Sequence, residues 1–158
     1  MNAFSVKPYL INYANSIYRK SQKLNTDSAL RNGFNTHIFS FSKDDIDPDF
    51  KSKNKKILNC RKGNGFWLWK PYFIYNSLKS INDGDYLFYC DSGCYFIQPI
   101  TPLIQISLDS NQDIISFDLP FKNSRYVKGD AFVRMNCDTN DCRSAPHKVA
   151  GYHLWRKS

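Results

Sequence analysis

The run YLFYC, residues 86–90, constrains the fold of this chain more than any other segment, because apolar or aromatic side chains occupy both of its faces. Strands that are buried on both faces occur mainly in parallel sheets covered by helices on each side. The run stops abruptly at Asp91, which is followed by Ser92 and Gly93. The pattern therefore predicts a central strand of an α/β sheet whose carboxyl end presents a carboxylate.

Segments on either side of this run alternate between strand-like and helix-like patterns. KPYLINYAN (residues 7–15) and THIFSFS (36–42) predict two strands, joined by a helix that Ser16 caps and Asn32-Gly33 stops. KDDIDPDFKSKNKK (43–56) mixes charges of both signs and predicts a surface loop with at most one turn of helix.

Further along the chain, Pro71 fits the first turn of a second helix, which Asn82-Asp83-Gly84 ends before the central strand. TPLIQISLDSN (101–111) predicts a third helix, and DIISFDLP (113–120) predicts another strand of the same buried character. This alternation predicts one α/β domain over residues 1–158, a sandwich with right-handed crossovers.

The chain carries 22 Lys and Arg against 14 Asp and Glu, a formal charge of +8, which favours a phosphorylated or polyanionic partner. The basic residues are scattered in short clusters, so no specific nucleic-acid site is predicted. Neither a leader-like apolar segment nor a run near eighteen apolar residues is present, and the five cysteines are an odd number. These features predict a reduced, cytoplasmic chain without a transmembrane segment.

Cysteine and histidine residues away from the central strand are potential metal ligands. Cys137 and Cys142 have a spacing that suits a metal site only if two further ligands come from elsewhere, and otherwise they are unpaired thiols. The three histidines show no ligand spacing, and no role is assigned to them: His37, His147 and His153.

Asp91 is the principal candidate for a binding residue. In open α/β sheets, ligands bind beyond the carboxyl ends of the strands, where Asp91 is expected. A carboxylate there can coordinate a divalent cation or accept hydrogen bonds from a ribose, and Gly93 lets the backbone approach a ligand closely. The alternative is a strand-ending turn in which Asp91 caps its own backbone.

The block GNGFWLWKPYFIYNSLKSINDGDYLFYCDSGC, residues 63–94, resembles the central part of bacterial and viral glycosyltransferase-like proteins associated with capsular or surface polysaccharides. Their shared pattern is a glycine-rich lead, a WxWKP segment, a helix and a strand that ends in DxGC. KPYLINYAN, KGDAFVRMNCD and AGYHLWRKS resemble other parts of that family more loosely.

The resemblance implies a GT-A-like, Rossmann-like sandwich with a mostly parallel central sheet and flanking helices. It also implies a C-terminally shortened chain, because a HRxDQS-like motif of the family is missing. Its implied activity is transfer of a sugar from a nucleotide-diphospho-sugar to a glycan acceptor. The same resemblance places Asp91 at the first acidic residue of an Asp-x-Asp-like motif that binds Mn²⁺ or Mg²⁺. Gly93 replaces the second acidic residue, which leaves a single carboxylate for metal or ribose.

Four further residues are predicted to contribute to this site. Lys70 offers a positive charge to a diphosphate, to which Arg61 and Lys62 add, unless the lysine stem simply packs on a tryptophan. Trp67 and Trp69 are either core residues or platforms on which a base stacks, and Trp67 is the one assigned to the donor site.

Asp130 matches the acceptor side of the family pattern, and its alternative is a carboxylate at a helix N-terminus. No residue is identified as a general base, so no catalytic residue is predicted.

Three functional hypotheses follow from these observations. The first is a glycosyltransferase that uses a nucleotide sugar and a glycan acceptor. The second is a non-catalytic remnant or nucleotide-binding module, suggested by Gly93 and the missing motif. The third is a basic nucleic-acid-binding protein, suggested only by the net charge. A shortened sheet would also expose an edge and favour self-association.

Overall fold

The computed structural model describes residues 7–34 and 37–158. Its main feature is a five-stranded mixed sheet in the order β2-β1-β3-β7-β4. The first three strands in this order are parallel, whereas β7 is antiparallel to both of its neighbours. A separate two-stranded antiparallel sheet contains β5 and β6. The strands are β1 (Pro8–Tyr13), β2 (Ile38–Phe41), β3 (Tyr86–Cys90), β4 (Ile114–Ile115), β5 (Asp118–Lys122), β6 (Pro146–Lys148) and β7 (Tyr152–Arg156).

Eight short or medium helices connect these strands. Three-residue 3₁₀ turns lie at Ser16–Tyr18, Lys43–Asp45 and Asn123–Arg125, and a wide turn at Leu30–Phe34 extends the first helix. Within residues 7–34 and 37–158, no helix has both the length and the apolar content needed to cross a membrane. The helices are α1 (Arg19–Ala29), α2 (Pro48–Lys53), α3 (Lys55–Leu58), α4 (Gly63–Phe66), α5 (Trp69–Ser80), α6 (Thr101–Ser110), α7 (Gly129–Arg134) and α8 (Asn140–Ser144).

All five residues of β3 are buried, as the sequence predicts for a central strand. Tyr86, Phe88 and Cys90 belong to one apolar cluster, which also contains residues of α1 and α6. Leu87 and Tyr89 belong to a second cluster with residues of α5 on the opposite face. Because each fully buried large apolar side chain contributes roughly 1.5–3 kcal/mol, these two faces account for much of the stability of the sheet.

The boundaries of the predicted helices agree with the structure except at one cap. Asn15, and not Ser16, caps the first helical segment, because its side-chain oxygen accepts hydrogen bonds from the N–H groups of Ile17 and Tyr18. Gly33, at φ +95°, lies in the turn that ends α1, and Gly84, at φ +87°, follows α5. The predicted strand 36–42 is confirmed as β2, although Thr36 lies outside the described residues.

The predicted surface loop over residues 43–56 is wrong, because this segment forms a 3₁₀ turn, α2 and the first half of α3. Asp47 caps α2 by accepting hydrogen bonds from the N–H groups of Asp49 and Phe50. Ile46 and Leu58 are buried in the same apolar cluster as the α5 face of β3. The Asp47 cap and the burial of Ile46 and Leu58 therefore favour helices here, although the segment has a charged, loop-like composition.

The single strand predicted over residues 113–120 is also wrong. Ile114 and Ile115 pair with β7 in the large sheet, whereas Asp118 pairs with Lys148 in the small sheet. Ile114 is 57% exposed, unlike a strand buried on both faces. Of the predicted fold, the mixed α/β architecture is therefore confirmed, but its sheet is less parallel than expected because β7 lies between β3 and β4.

Candidate ligand-binding cleft

A cleft opens at the carboxyl ends of β1 and β3. After β1 the chain passes through α1 to β2 on one side, and β3 lies on the other side, so the strand order reverses between β1 and β3. Open α/β sheets bind their ligands at such a switch point. The cleft has a volume of about 570 Å³ and is lined by residues 13–15 after β1, residues 91–93 after β3, and Arg61, Trp67 and their neighbours before α5.

The structure brings four of the predicted donor-site residues together in this cleft. Asp91, Gly93, Arg61 and Trp67 all line it. Lys70 contacts Asp91 from the first turn of α5. Local sequence alone does not place these residues side by side, because they come from two segments about thirty positions apart.

The remaining predicted residues lie elsewhere. Asp130 is exposed in the first turn of α7 and is not among the residues that line the cleft. This position fits the alternative of a carboxylate near a helix N-terminus. Lys62 is exposed beside the cleft-lining Arg61 but does not line the cleft itself.

Asp91 is held by an ion pair with Lys70. The Lys70 Nζ lies 3.1 Å from Asp91 Oδ1 and also donates to the carbonyl oxygen of Ala150 at 2.9 Å. The Tyr89 hydroxyl donates to the same carboxylate oxygen, and the Lys70 Nζ lies 4.6 Å from the centroid of the Tyr89 ring. The Lys70 side chain is only 15% exposed. Lys70 is therefore a fixed internal charge and not a solvated lysine.

The backbone around Asp91 is equally constrained. The Asp91 N–H donates to the carbonyl oxygen of Gly151 at 2.7 Å, and a Cβ at Gly151 would lie 3.3 Å from Asp91 Oδ2. The Asp91 side chain remains 47% exposed to the cleft. Gly151, which immediately precedes β7, therefore confines one side of the carboxylate, while the other side is open to the cleft.

Burial and charge shift two pKa values beside this ion pair. Burial, and next the negative charge of Asp91, raise the pKa of Tyr89, so its hydroxyl stays protonated and donates to the carboxylate. Burial, and next the positive charge of Lys70, lower the pKa of His153, against the opposing effect of Asp91. His153 faces Tyr89 across the β3–β7 pair.

The lowered pKa of His153 predicts a pH dependence of stability. Because the folded protein resists protonation of His153, the unfolded chain binds more protons near its ordinary pKa of 6.5. The His153 contribution is therefore present above that pH and is lost as the pH falls through 6.5 toward the lower folded pKa. We expect the melting temperature of the wild type to fall more than that of His153→Gln between about pH 7.5 and pH 5.5. Parallel losses in the two proteins, measured by thermal denaturation, would contradict this assignment.

The short segment α4, Gly63–Phe66, is a left-handed turn and not a right-handed helix, and the sequence did not predict it. Gly63, Asn64, Gly65, Phe66 and Trp67 all have positive φ angles, of 57°, 51°, 98°, 51° and 59°. A non-glycine residue in this conformation costs roughly 1–2 kcal/mol. The N–H groups of Gly65 and Phe66 donate to the carbonyl oxygens of Cys60 and Lys62, both at 2.8 Å, which holds the turn closed. Strained backbone of this kind clusters at binding sites.

This turn separates the roles of the two tryptophans. Trp69 is 6% exposed, stacks on Tyr13 with ring centroids 3.8 Å apart, and donates from its indole N–H to the Gly63 carbonyl oxygen at 3.1 Å. Trp67 is 49% exposed in the cleft, and its indole lies directly over Gly63. Trp69 is therefore a core residue, whereas Trp67 is an exposed aromatic side chain on the wall of the cleft.

A buried polar network supports the loop after β3. The Asn25 side-chain amide donates to the Cys94 carbonyl oxygen at 2.9 Å and to the Cys90 sulfur at 3.4 Å, and its oxygen accepts from Asn12 at 2.8 Å. Ser92 Oγ donates to the Tyr13 carbonyl oxygen at 2.7 Å. The only sequence signal for this network is Asn12, a polar residue inside an apolar strand. The network ties β1, α1 and residues 91–94 into one unit.

The side chains present do not fit a divalent cation held by the protein. In residues 7–34 and 37–158, no three His, Cys, Asp or Glu side chains converge. Asp91 contributes one carboxylate, and one of its oxygens already accepts from Lys70 and Tyr89. Cys137 and Cys142 are free thiols.

Comparison of the chain with protein-family models finds no match. Comparison with curated proteins likewise finds no matching protein. The functional assignment therefore rests on the cleft, and the resemblance of residues 63–94 to glycosyltransferase-like proteins stays a prediction.

Proposed function

We propose that this chain is a GT-A-like glycosyltransferase that binds a nucleoside-diphosphate sugar in the cleft between β1 and β3. The observation that carries the proposal is the position of Asp91, Arg61 and Trp67 around one cleft at the switch point of the sheet. This cleft falls within the range of about 300–1,000 Å³ that small-molecule sites occupy.

Each part of such a ligand has a complementary group in the cleft. The exposed face of Trp67 suits stacking of a nucleobase. Arg61 is exposed, forms no ion pair with any described residue, and its planar guanidinium suits a diphosphate. The accessible part of the Asp91 carboxylate suits hydroxyl groups of a ribose or sugar.

Transfer to a glycan acceptor requires stabilisation of the departing nucleoside diphosphate. Positive side chains fixed before the reaction supply this stabilisation, because they need no reorganisation when the charge develops. Arg61, which lines the cleft, and Lys70, which is paired with the cleft-lining Asp91, are the two cations proposed for this role. The acceptor is proposed to approach the open side of the same cleft, without an assigned general base.

Binding of UDP, GDP and their sugar conjugates tests this proposal. We expect a ligand at a hundred times its dissociation constant to stabilise the protein by about 2.7 kcal/mol, a rise of several degrees in melting temperature. Asp91→Asn removes the charge at nearly constant size and is expected to weaken binding about tenfold or more. Asp109→Asn, an exposed carboxylate on α6, is the matched control and should bind as the wild type does.

A second measurement distinguishes an enzyme from a nucleotide-binding module. Release of free nucleoside diphosphate from a sugar conjugate, lost in Asp91→Asn and kept in Asp109→Asn, would support the transferase. Binding without release would favour the module, for which Gly93 after Asp91 is the supporting feature. The absence of binding by every nucleotide in the panel, in a protein that melts cooperatively, would contradict both.

A further inference from the structure

We infer that the cleft binds its nucleotide ligand without a divalent cation, because the ammonium group of Lys70 occupies the place beside Asp91 where a cation would act. This inference rests on the proposed function and concerns how the same cleft handles the negative charge of the ligand. It replaces the predicted Mn²⁺ or Mg²⁺ site at Asp91 with a charge that belongs to the protein.

The ammonium group of Lys70 is held in place by hydrogen bonds and by contacts with two aromatic rings. Lys70 Nζ donates to Asp91 Oδ1 at 3.1 Å and to the Ala150 carbonyl oxygen at 2.9 Å. It also lies over the ring of Tyr89, at 4.6 Å from the ring centroid, and 5.7 Å from that of Trp69. Two of the three N–H donors of the ammonium are used in these hydrogen bonds, and the group faces two aromatic rings, so its charge stays beside Asp91.

The ion pair changes what Asp91 can bind. A divalent cation on the carboxylate would lie next to a positive group that is already hydrogen-bonded to it, and like charges at this separation repel strongly in a partly buried site. Gly93 brings no second carboxylate to the cleft. A hydroxyl donor meets no such repulsion, and Asp91 retains acceptor capacity on the exposed side.

Arg61 supplies a second cation and lines the cleft from the segment before the left-handed turn. Lys70 begins the helix that follows the turn, does not itself line the cleft, and acts on it through its ion pair with Asp91. Because Lys70 neutralises Asp91, Arg61 is left to face the negative charge of the ligand. The ligand class is therefore a nucleoside diphosphate whose hydroxyl groups contact Asp91 and whose phosphates contact Arg61.

Calorimetric titration of UDP and GDP in EDTA and in Mn²⁺ tests the inference on the wild-type protein. We expect the dissociation constant of the bound nucleotide to agree within about twofold between the two conditions, because the cations come from the protein. Titration of the protein alone with Mn²⁺, followed by its paramagnetic resonance signal, is expected to leave the ion free.

Two variants of the same helix sharpen the test. Lys70→Met keeps the apolar stem and removes the charge, and it is expected to weaken binding in EDTA about tenfold or more. It is also expected to gain a dependence on Mn²⁺, because the carboxylate no longer has an ammonium neighbour. Lys79→Met removes an exposed lysine from the last turn of α5 and should behave as the wild type.

The outcomes separate this inference from the proposed function. Equal binding in EDTA and Mn²⁺ supports the inference, and a gained Mn²⁺ dependence in Lys70→Met supports it further. Binding of the wild type only when Mn²⁺ is present overturns the inference and leaves the proposed function intact. No binding of UDP or GDP in either condition overturns both.

Discussion

Gly65→Ala is expected to lower the free energy of unfolding by about 3 kcal/mol. Gly65 has a φ of +98°, which an alanine adopts only at a cost. The added Cβ would also lie 2.9 Å from the Cα of Leu58, a backbone atom that cannot move without displacing α3. Urea denaturation, followed by circular dichroism, measures this change.

Gly84→Ala is the matched control for this prediction. Gly84 has a similar φ of +87°, but nothing lies within 4 Å of its expected Cβ. Only the backbone cost remains, so a loss of about 1 kcal/mol is expected. Equal losses in the two variants would show that the packing of the left-handed turn against α3 is not as tight as the structure indicates. Because Gly65 also positions Trp67, only Gly65→Ala is expected to weaken nucleotide binding as well.

Asn25→Ala is expected to destabilise the protein by about 3 kcal/mol, although it removes few apolar contacts. The side chain is fully buried and links Asn12 on β1 to the Cys94 carbonyl oxygen after β3. Its removal leaves the partly buried Cys94 carbonyl oxygen without this donor. The Asn12 amide keeps a weaker partner, Thr26 Oγ1 at 3.2 Å, so the loss falls mainly on the loop after β3.

Asn76→Ala provides the matched control, because Asn76 is exposed on α5 and should tolerate the change within about 0.5 kcal/mol. The rate at which a thiol reagent labels Cys90 and Cys94 gives a second readout of the same prediction. Burial raises the pKa of the Cys90 thiol to about 12, so the native protein should react slowly there. Faster labelling in Asn25→Ala is expected, and unchanged stability together with unchanged labelling would contradict the proposed role of the network.

Much of the predicted fold depended on patterns that operate over a few residues. The apolar run at β3 required burial on both faces, and the structure confirms it. The stop at Gly84 required a residue that tolerates positive φ, and the structure confirms that position too. The same local reasoning failed for residues 43–56, where burial of Ile46, and of Leu58 just after the segment, in one apolar cluster outweighed a loop-like composition.

The candidate site likewise contains features that the sequence predicted and one that it did not. The rule that ligands bind beyond strand ends placed Asp91 and Gly93 at the cleft, and the aromatic segment before α5 placed Trp67 there. The sequence did not separate the buried Trp69 from the exposed Trp67, because that difference arises from the left-handed backbone between Gly63 and Trp67. No propensity scale predicts five consecutive residues of positive φ that include a phenylalanine and a tryptophan.

The sequence by itself determined the alternation of strands and helices, the buried central strand and the carboxylate at its end, because hydrophobic periodicity and turn chemistry are local. Only the tertiary structure decided that β7 enters the sheet antiparallel beside β3, and that Lys70 pairs with Asp91 under the carbonyl oxygen of Ala150. These contacts join residues up to 80 positions apart. Their geometry depends on how α5 and the residues just before β7 pack around the Asp91 carboxylate. No short segment of the sequence encodes this packing.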